Sequence, residues 1–131
     1  MTEPAENPLF ILVDDDPINN SISRLTITNT IPDAEITVFT DPKIGLRFLT
    51  EGFIEHPAKS AILLLNLNMP FMTGWEFLER FADLAIEVQK RIKIYILSSS
   101  IDLADRKRSE AIQVVKGFLN KPLSPEMIIN L

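Results

Sequence analysis

The chain has 131 residues, 46% of them hydrophobic, which suits one domain with its own buried core and argues against wholesale disorder. A formal net charge of -5 argues against non-specific nucleic-acid binding, which needs a basic face to neutralise phosphates. With no cysteine there is neither a disulfide framework nor a thiolate metal centre, and no apolar run approaches the ~20 residues that span a bilayer.

The first residues are polar and acidic, unlike the basic start of a signal peptide. Residues 1–7 are read as a flexible leader and 8–131 as one soluble, cytoplasmic domain. Leu9–Val13 reads as a buried strand that runs into Asp14-Asp15-Asp16. Asp16 and Pro17 then suit a helix cap and first turn, and Ile18, Ile22 and Leu25 fall at i, i+4 and i+7 on one apolar face. Pro32-Asp33 marks a turn, and Glu35–Phe39 alternates as a short strand. Thr40-Asp41-Pro42 opens a second helix with Ile44, Phe48 and Leu49 on one side, a stop at Gly52 and a loop over Glu55–Lys59.

Ala61–Leu65 is the next strand, ending on Asn66 and followed by the Pro70 loop. A helix from about Gly74 places Trp75, Leu78 and Phe81 or Ala82 on one face, with Gly74 a candidate for positive φ. After strand Ile92–Leu97, Asp102 opens a helix along which Ala104, Lys107 or Arg108, and Ala111 line up, a face with little apolar surface. The strand Gly117–Asn120 leads to Lys121-Pro122, where a cis peptide is an option. Ser124-Pro125-Glu126 then starts a short last helix, with Met127, Ile128 and Leu131 as its apolar side. Five strands alternating with five helices imply right-handed crossovers and a parallel sheet covered on both faces. Functional residues of such sheets gather outside the strand C-termini.

Those ends carry the chain's chemistry. Adjacent Asp14 and Asp15 either hold a hard cation such as Mg²⁺ or simply sit at the positive end of a helix dipole. The backbone carbonyl of Asn68 can face the same cation, or belong to an ordinary turn. Ser98 is either a donor to a phosphoryl oxygen or part of a polar serine loop; Lys121 either balances the concentrated negative charge or is a solvated surface lysine. Phe118 is half-exposed or core, and Phe71 and Trp75 are surface anchors or packing residues. The single histidine, His56, has no catalytic partner nearby in sequence. The set lacks a phosphate acceptor: Asn66, where a carboxylate would serve, is an amide.

Leu12-Val-Asp-Asp-Asp-Pro17, Asn66-Leu-Asn-Met-Pro-Phe-Met-Thr-Gly74, Leu97-Ser98 and Gly117-Phe-Leu-Asn-Lys-Pro122 together resemble the receiver domain of bacterial two-component response regulators, from about Pro8 to the end. The resemblance implies a doubly wound (βα)5, flavodoxin-like α/β fold with a five-stranded parallel sheet. It also implies that Asp14 and Asp15 bind Mg²⁺, that an aspartate at the third strand's end accepts a phosphoryl group from a kinase histidine, that Ser98 and Lys121 contact it, and that Phe118 switches rotamer. The family's signalling surface would include Arg106, Lys107, Arg108, Phe118 and Ile128.

The chain departs from the family at Asn66, and Thr73 stands where the family often has an acidic residue. An amide is a poor nucleophile and removes one anionic ligand, so Mg²⁺ affinity should fall. The short last helix suggests a fragment or a surface completed by a partner. With no DNA-binding or catalytic domain following, output is expected through a sensor histidine kinase or a downstream effector protein, with neither nucleic acid nor membrane as partner. The leading expectation is thus a pseudo-receiver, not an enzyme. The alternatives are an ordinary phosphoaccepting receiver whose acceptor was substituted or arises by deamidation, and a haloacid-dehalogenase-like phosphatase with Asp14 as nucleophile and Asp16 as general acid. The last needs a later acidic motif, for which the ten residues after Lys121 leave little room.

Overall fold

A computed structural model describes residues 8–58, 60–99 and 102–131. The expected leader 1–7, Lys59 at the end of its loop, and Ser100 lie outside the described residues. Five strands, β1 (Leu9–Val13), β2 (Ile36–Phe39), β3 (Ala61–Leu65), β4 (Ile92–Ser98) and β5 (Val115–Asn120), form one sheet in the order β2-β1-β3-β4-β5. Every neighbouring pair is parallel, as the alternation of elements requires. The order reverses between β1 and β3, and open α/β sheets bind ligands in the crevice outside such a switch point.

β1 and β3 are buried along their whole length because both sheet faces are covered. Leu9, Ile11, Val13, Leu63 and Leu65 point to one face, where they meet Leu49, Phe53, Phe77, Phe81 and Val88. Phe10, Leu12, Ile62 and Leu64 point to the other and pack on Ile27, Leu123 and Ile128. The helices are α1 (Pro17–Thr30), α2 (Pro42–Arg47), α3 (Gly74–Phe81), α4 (Ile86–Lys90), α5 (Leu103–Glu110) and α6 (Pro125–Ile129). The described residues therefore hold one helix more than expected. α4 is a single short turn set whose one buried residue is Val88, too little periodicity to show in sequence. Among the described residues no helix is long and apolar enough to cross a membrane.

The caps fall where the sequence puts them: Asp16, Asp41, Asp102 and Ser124 each accept a backbone N–H of the helix they precede. Gly52 does not stop the second helix. The chain continues through a π turn (Phe48–Gly52) and a 3-10 turn (Phe53–Glu55), which bury Leu49 and Phe53, while Ile44 is left outside. Further on, the Arg91 guanidinium lies 4.2 Å over the Phe53 ring and donates to the carbonyls of Ile54, His56 and Ala58. His56 bonds Glu35 at 2.6 Å. These contacts pin the loop before β3 at the sheet's N-terminal edge, so His56 is remote from the strand C-termini.

α1 faces the opposite way from the sequence expectation. Its buried residues are Asn20, Ser23 and Ile27, whereas Ile18 and Leu25 are 69% and 62% exposed and Ile22 lies beside them. At roughly 100° per residue the two sets lie on opposite sides of the helix. On the buried face, Ile27 packs in the core and the Asn20 side chain donates a 2.8 Å hydrogen bond to the carbonyl of Asp14.

Gly74 is also needed for a reason other than the expected one. No described glycine has positive φ; in this loop that conformation falls on Phe71, at 69°. A Cβ on Gly74 would instead lie 2.6 Å from the carbonyl oxygen of Asn66 and 2.8 Å from Leu67 Cα. The start of α3 thus presses directly on the backbone of Asn66, and the N–H of Gly74 donates to Leu67 at 2.8 Å.

Two stability experiments follow. In urea unfolding, Ile27→Ala should cost about 2–5 kcal/mol, while Leu25→Ala on the outward face stays within about 0.5 kcal/mol. Gly74→Ala should cost about 1–3 kcal/mol through overpacking against backbone. Gly45→Ala, inside α2 with only ordinary contacts at 3.5 Å or more, should be neutral or gain up to about 1 kcal/mol.

Candidate functional site

The C-terminal ends of β1, β3, β4 and β5 bring Asp14, Asn66, Ser98 and Lys121 to one edge of the sheet. The parallel ladder sets their spacing: Asn66 N–H donates to the carbonyl of Val13 at 2.9 Å, and Lys121 N–H to that of Ser98 at 2.8 Å. Ser98 is buried and enters the site through that carbonyl. The peptide after Lys121 is cis, realising the option read from Pro122.

At the centre is an ion pair. Lys121 Nζ lies 2.7 Å from Asp14 Oδ2, and their side chains are only 12% and 8% exposed. The lysine is therefore not a solvated surface residue. Asp14 is held from three further directions. Its Oδ1 accepts the N–H of Asp16 at 2.9 Å, its carbonyl accepts Asn20, and its N–H donates to Phe39 at 3.1 Å. Asp16 caps α1, and Asp14 pairs with Lys121.

Asn66 bridges the charges. Its Oδ1 faces Lys121 Nζ at 3.4 Å. Its Nδ2 donates toward Asp14 Oδ1 at 3.3 Å, Asp15 Oδ1 at 3.2 Å and the carbonyl of Asn68 at 3.2 Å. The neighbours fix which end is which: an ammonium only donates and carboxylates only accept. The carbonyl of Asn68 thus turns to the point where the sequence placed it. Among the described residues, no three His, Cys, Asp or Glu side chains gather in a group able to hold a metal.

Around this centre, Asp15 borders a groove of about 280 Å³ with Asp41, Lys43, Pro70, Phe71 and Met72. Phe71 is 95% exposed at its mouth, which fits a surface anchor rather than a packing residue. Phe118 is half-buried against the core on β5, beside a second hollow shared with Arg106 and Lys116. Trp75 is half-buried, with the Arg108 guanidinium 4.2 Å over its ring, so α5 leans on α3 through a cation–π contact. α5 itself buries only Ser109. Ile128 is buried in the core and is not available to a partner; Ile129 is the exposed large apolar residue of α6.

Sequence reasoning missed Asn20, whose side chain secures the Asp14 backbone, and the direct Asp14–Lys121 contact. The first has no periodic signal, because a polar residue on a buried helix face looks like an outward one. The second joins residues 107 positions apart.

The model of the response regulator receiver domain family matches residues 10–131. No curated protein matches the chain. Among solved structures, a response regulator receiver protein from Dyadobacter fermentans superposes with TM-score 0.85 at 24% identity, covering 95% of this chain and 94% of that one. A two-component response regulator from Cytophaga hutchinsonii gives 0.84 at 27% identity, covering 94% and 92%. One from Legionella pneumophila gives 0.76 at 21% identity, covering 95% and 94%. With the five-stranded doubly wound sheet and the acidic, lysine-bearing edge described above, the chain belongs to the response regulator receiver domain family of two-component signalling.

Proposed function

We propose that this receiver domain acts as a pseudo-receiver: it passes signals by protein contact and is not phosphorylated at Asn66. The observation that carries the reading is the chemistry at the end of β3. The phosphoacceptor position there holds a carboxamide whose oxygen faces Lys121 and whose nitrogen faces Asp14 and Asp15. An amide oxygen carries no full charge and does not attack a phosphoryl group as a carboxylate does. The other residues of the family's site, Asp14, Asp15, Ser98, Lys121 and Phe118, are present, and Asp14, Asp15 and Lys121 surround that amide.

The domain has no catalytic activity of its own in this reading. A phosphatase would need Asp14 as a free nucleophile, and Asp14 is 6% exposed and tied to Lys121 at 2.7 Å. The partners are a sensor histidine kinase or an effector protein, met in the cytoplasm. Exposed Arg106, Lys107 and Arg108 on α5 supply a polar contact face. The outward Ile18, Ile22 and Leu25 on α1 supply an apolar one, with the spacing of a helix-docking stripe.

A second reading keeps the phosphorelay chemistry and treats Asn66 as a substituted or deamidating acceptor; the intact Asp14–Lys121 pair favours it. The Asn66 codon of the encoding gene separates a natural residue from an introduced one. Incubation with acetyl phosphate and Mg²⁺, followed by intact mass, tests the primary reading. The unaltered chain should gain no phosphoryl group, whereas Asn66→Asp should gain one. A stoichiometric adduct on the unaltered chain would show the pseudo-receiver reading to be wrong.

The ion pair makes its own prediction. Lys121→Met leaves the buried Asp14 carboxylate without its counter-charge and should cost about 3–5 kcal/mol in urea unfolding. A change below about 0.5 kcal/mol would mean that the pair contributes little beyond a surface contact.

A further inference from the structure

We propose that the Asn66 side-chain amide takes the place of a divalent cation, so that the site keeps one geometry whether or not Mg²⁺ is present. The three oxygens that would hold the cation, Asp14 Oδ1, Asp15 Oδ1 and the Asn68 carbonyl, surround a single nitrogen at 3.2 to 3.3 Å. These are hydrogen-bond distances at the long end of the range, as two N–H bonds shared among three acceptors would give. Mg²⁺ requires oxygens at about 2.0–2.1 Å in near-octahedral array. As placed, the three oxygens are engaged by N–H donors, and Mg²⁺ could reach them at its own distance only if the amide nitrogen withdrew.

Charge explains why a neutral group suffices. Asp14 and Asp15 carry two negative charges, and Lys121, 2.7 Å from Asp14, returns one positive charge. The positive end of the amide dipole meets the remainder. An aspartate in place of Asn66 would add a third carboxylate, whose repulsion a bound divalent cation or an added proton would have to relieve.

The amide is also held against rotation. To admit Mg²⁺ it would have to turn its oxygen toward Asp14 and Asp15. Its NH₂ would then point at the Lys121 ammonium, which now meets the amide oxygen at 3.4 Å. Donor facing donor is unfavourable, so Lys121 favours the metal-free arrangement of the amide. Behind it, α3 starts so close to the Asn66 carbonyl that only glycine fits at position 74. The part of the switch that usually answers to a metal is thereby replaced by a permanent internal contact.

This inference rests on reading Asn66 as the acceptor position, and the two fail separately. Phosphorylation is read by mass with a phosphodonor, Mg²⁺ binding by calorimetry without one. Mg²⁺ is titrated into the unaltered full chain, Asn66→Ala and Asn66→Asp, with Trp75 emission as a second readout. Asn66→Ala adds no charge but removes the obstructing N–H bonds. It should bind Mg²⁺ on the order of tenfold more tightly than the unaltered chain, the worth of one charge-assisted hydrogen bond. Asn66→Asp should bind more tightly still. If Asn66→Ala binds no better than the unaltered chain, the amide does not stand in for the ion and the inference is overturned. Should Asn66→Ala fail to fold, thermal melting of the unaltered chain decides. Equal midpoints in Mg²⁺ and in chelator uphold the inference, and a higher midpoint in Mg²⁺ overturns it.

Discussion

Strand ends β1 and β5 deliver two carboxylates and an ammonium to one point, and the amide on the end of β3 lies between them. Lys121 meets Asp14 at 2.7 Å; Asn66 accepts from the lysine side and donates to the acidic side. Burying this much charge is costly unless each group has a partner, and here each does. No buried side-chain nitrogen or oxygen among the described residues lacks a hydrogen-bond partner. The sheet order is what makes this arrangement possible. β1 and β3 must be neighbours to place Asp14 beside Asn66, and Lys121 must reach back from the far edge of the sheet.

The same constraint spreads outward. α1 turns Asn20 and Ile27 inward, where Asn20 reaches the Asp14 carbonyl, and leaves the apolar Ile18–Ile22–Leu25 stripe in solvent. Gly74 starts α3 where no Cβ would fit over the Asn66 carbonyl. Trp75, one residue on, receives Arg108 and ties α5 to the same region. α5 otherwise packs on β5, with Ser109 buried at that contact. A fixed centre surrounded by helices with exposed polar and apolar faces suits a domain that works by presenting surfaces.

Much of this was legible before any coordinates. Apolar runs gave the bounds of β1 and β3, and Asp-Pro and Ser-Pro pairs marked helix starts, because capping chemistry is local. The polar residues that follow strands were identifiable because a parallel sheet gathers its C-termini. What was not legible depended on tertiary contact. The period-3.6 pattern of α1 puts Ile18, Ile22 and Leu25 on one face, but spacing does not say which way that face turns, and the face with Asn20 and Ile27 is the buried one. Gly74 looked like a turn glycine; its need is for space, and the positive φ belongs to Phe71. Nor could spacing show that the Asn66 nitrogen lies at hydrogen-bond distance from three oxygens, since that depends on where Lys121 ends up.

The most direct test of this account looks at the Asn66 amide itself. In a ¹⁵N-labelled sample, the two side-chain N–H protons of Asn66, assigned by their loss in Asn66→Asp, report their surroundings without any partner protein. They should be resolved from each other, exchange slowly with solvent, and stay in place as Mg²⁺ is raised to saturating levels. An Asn66 NH₂ that exchanges as fast as those of surface asparagines, or that shifts on Mg²⁺ addition, would contradict an amide held between Lys121 and the two carboxylates.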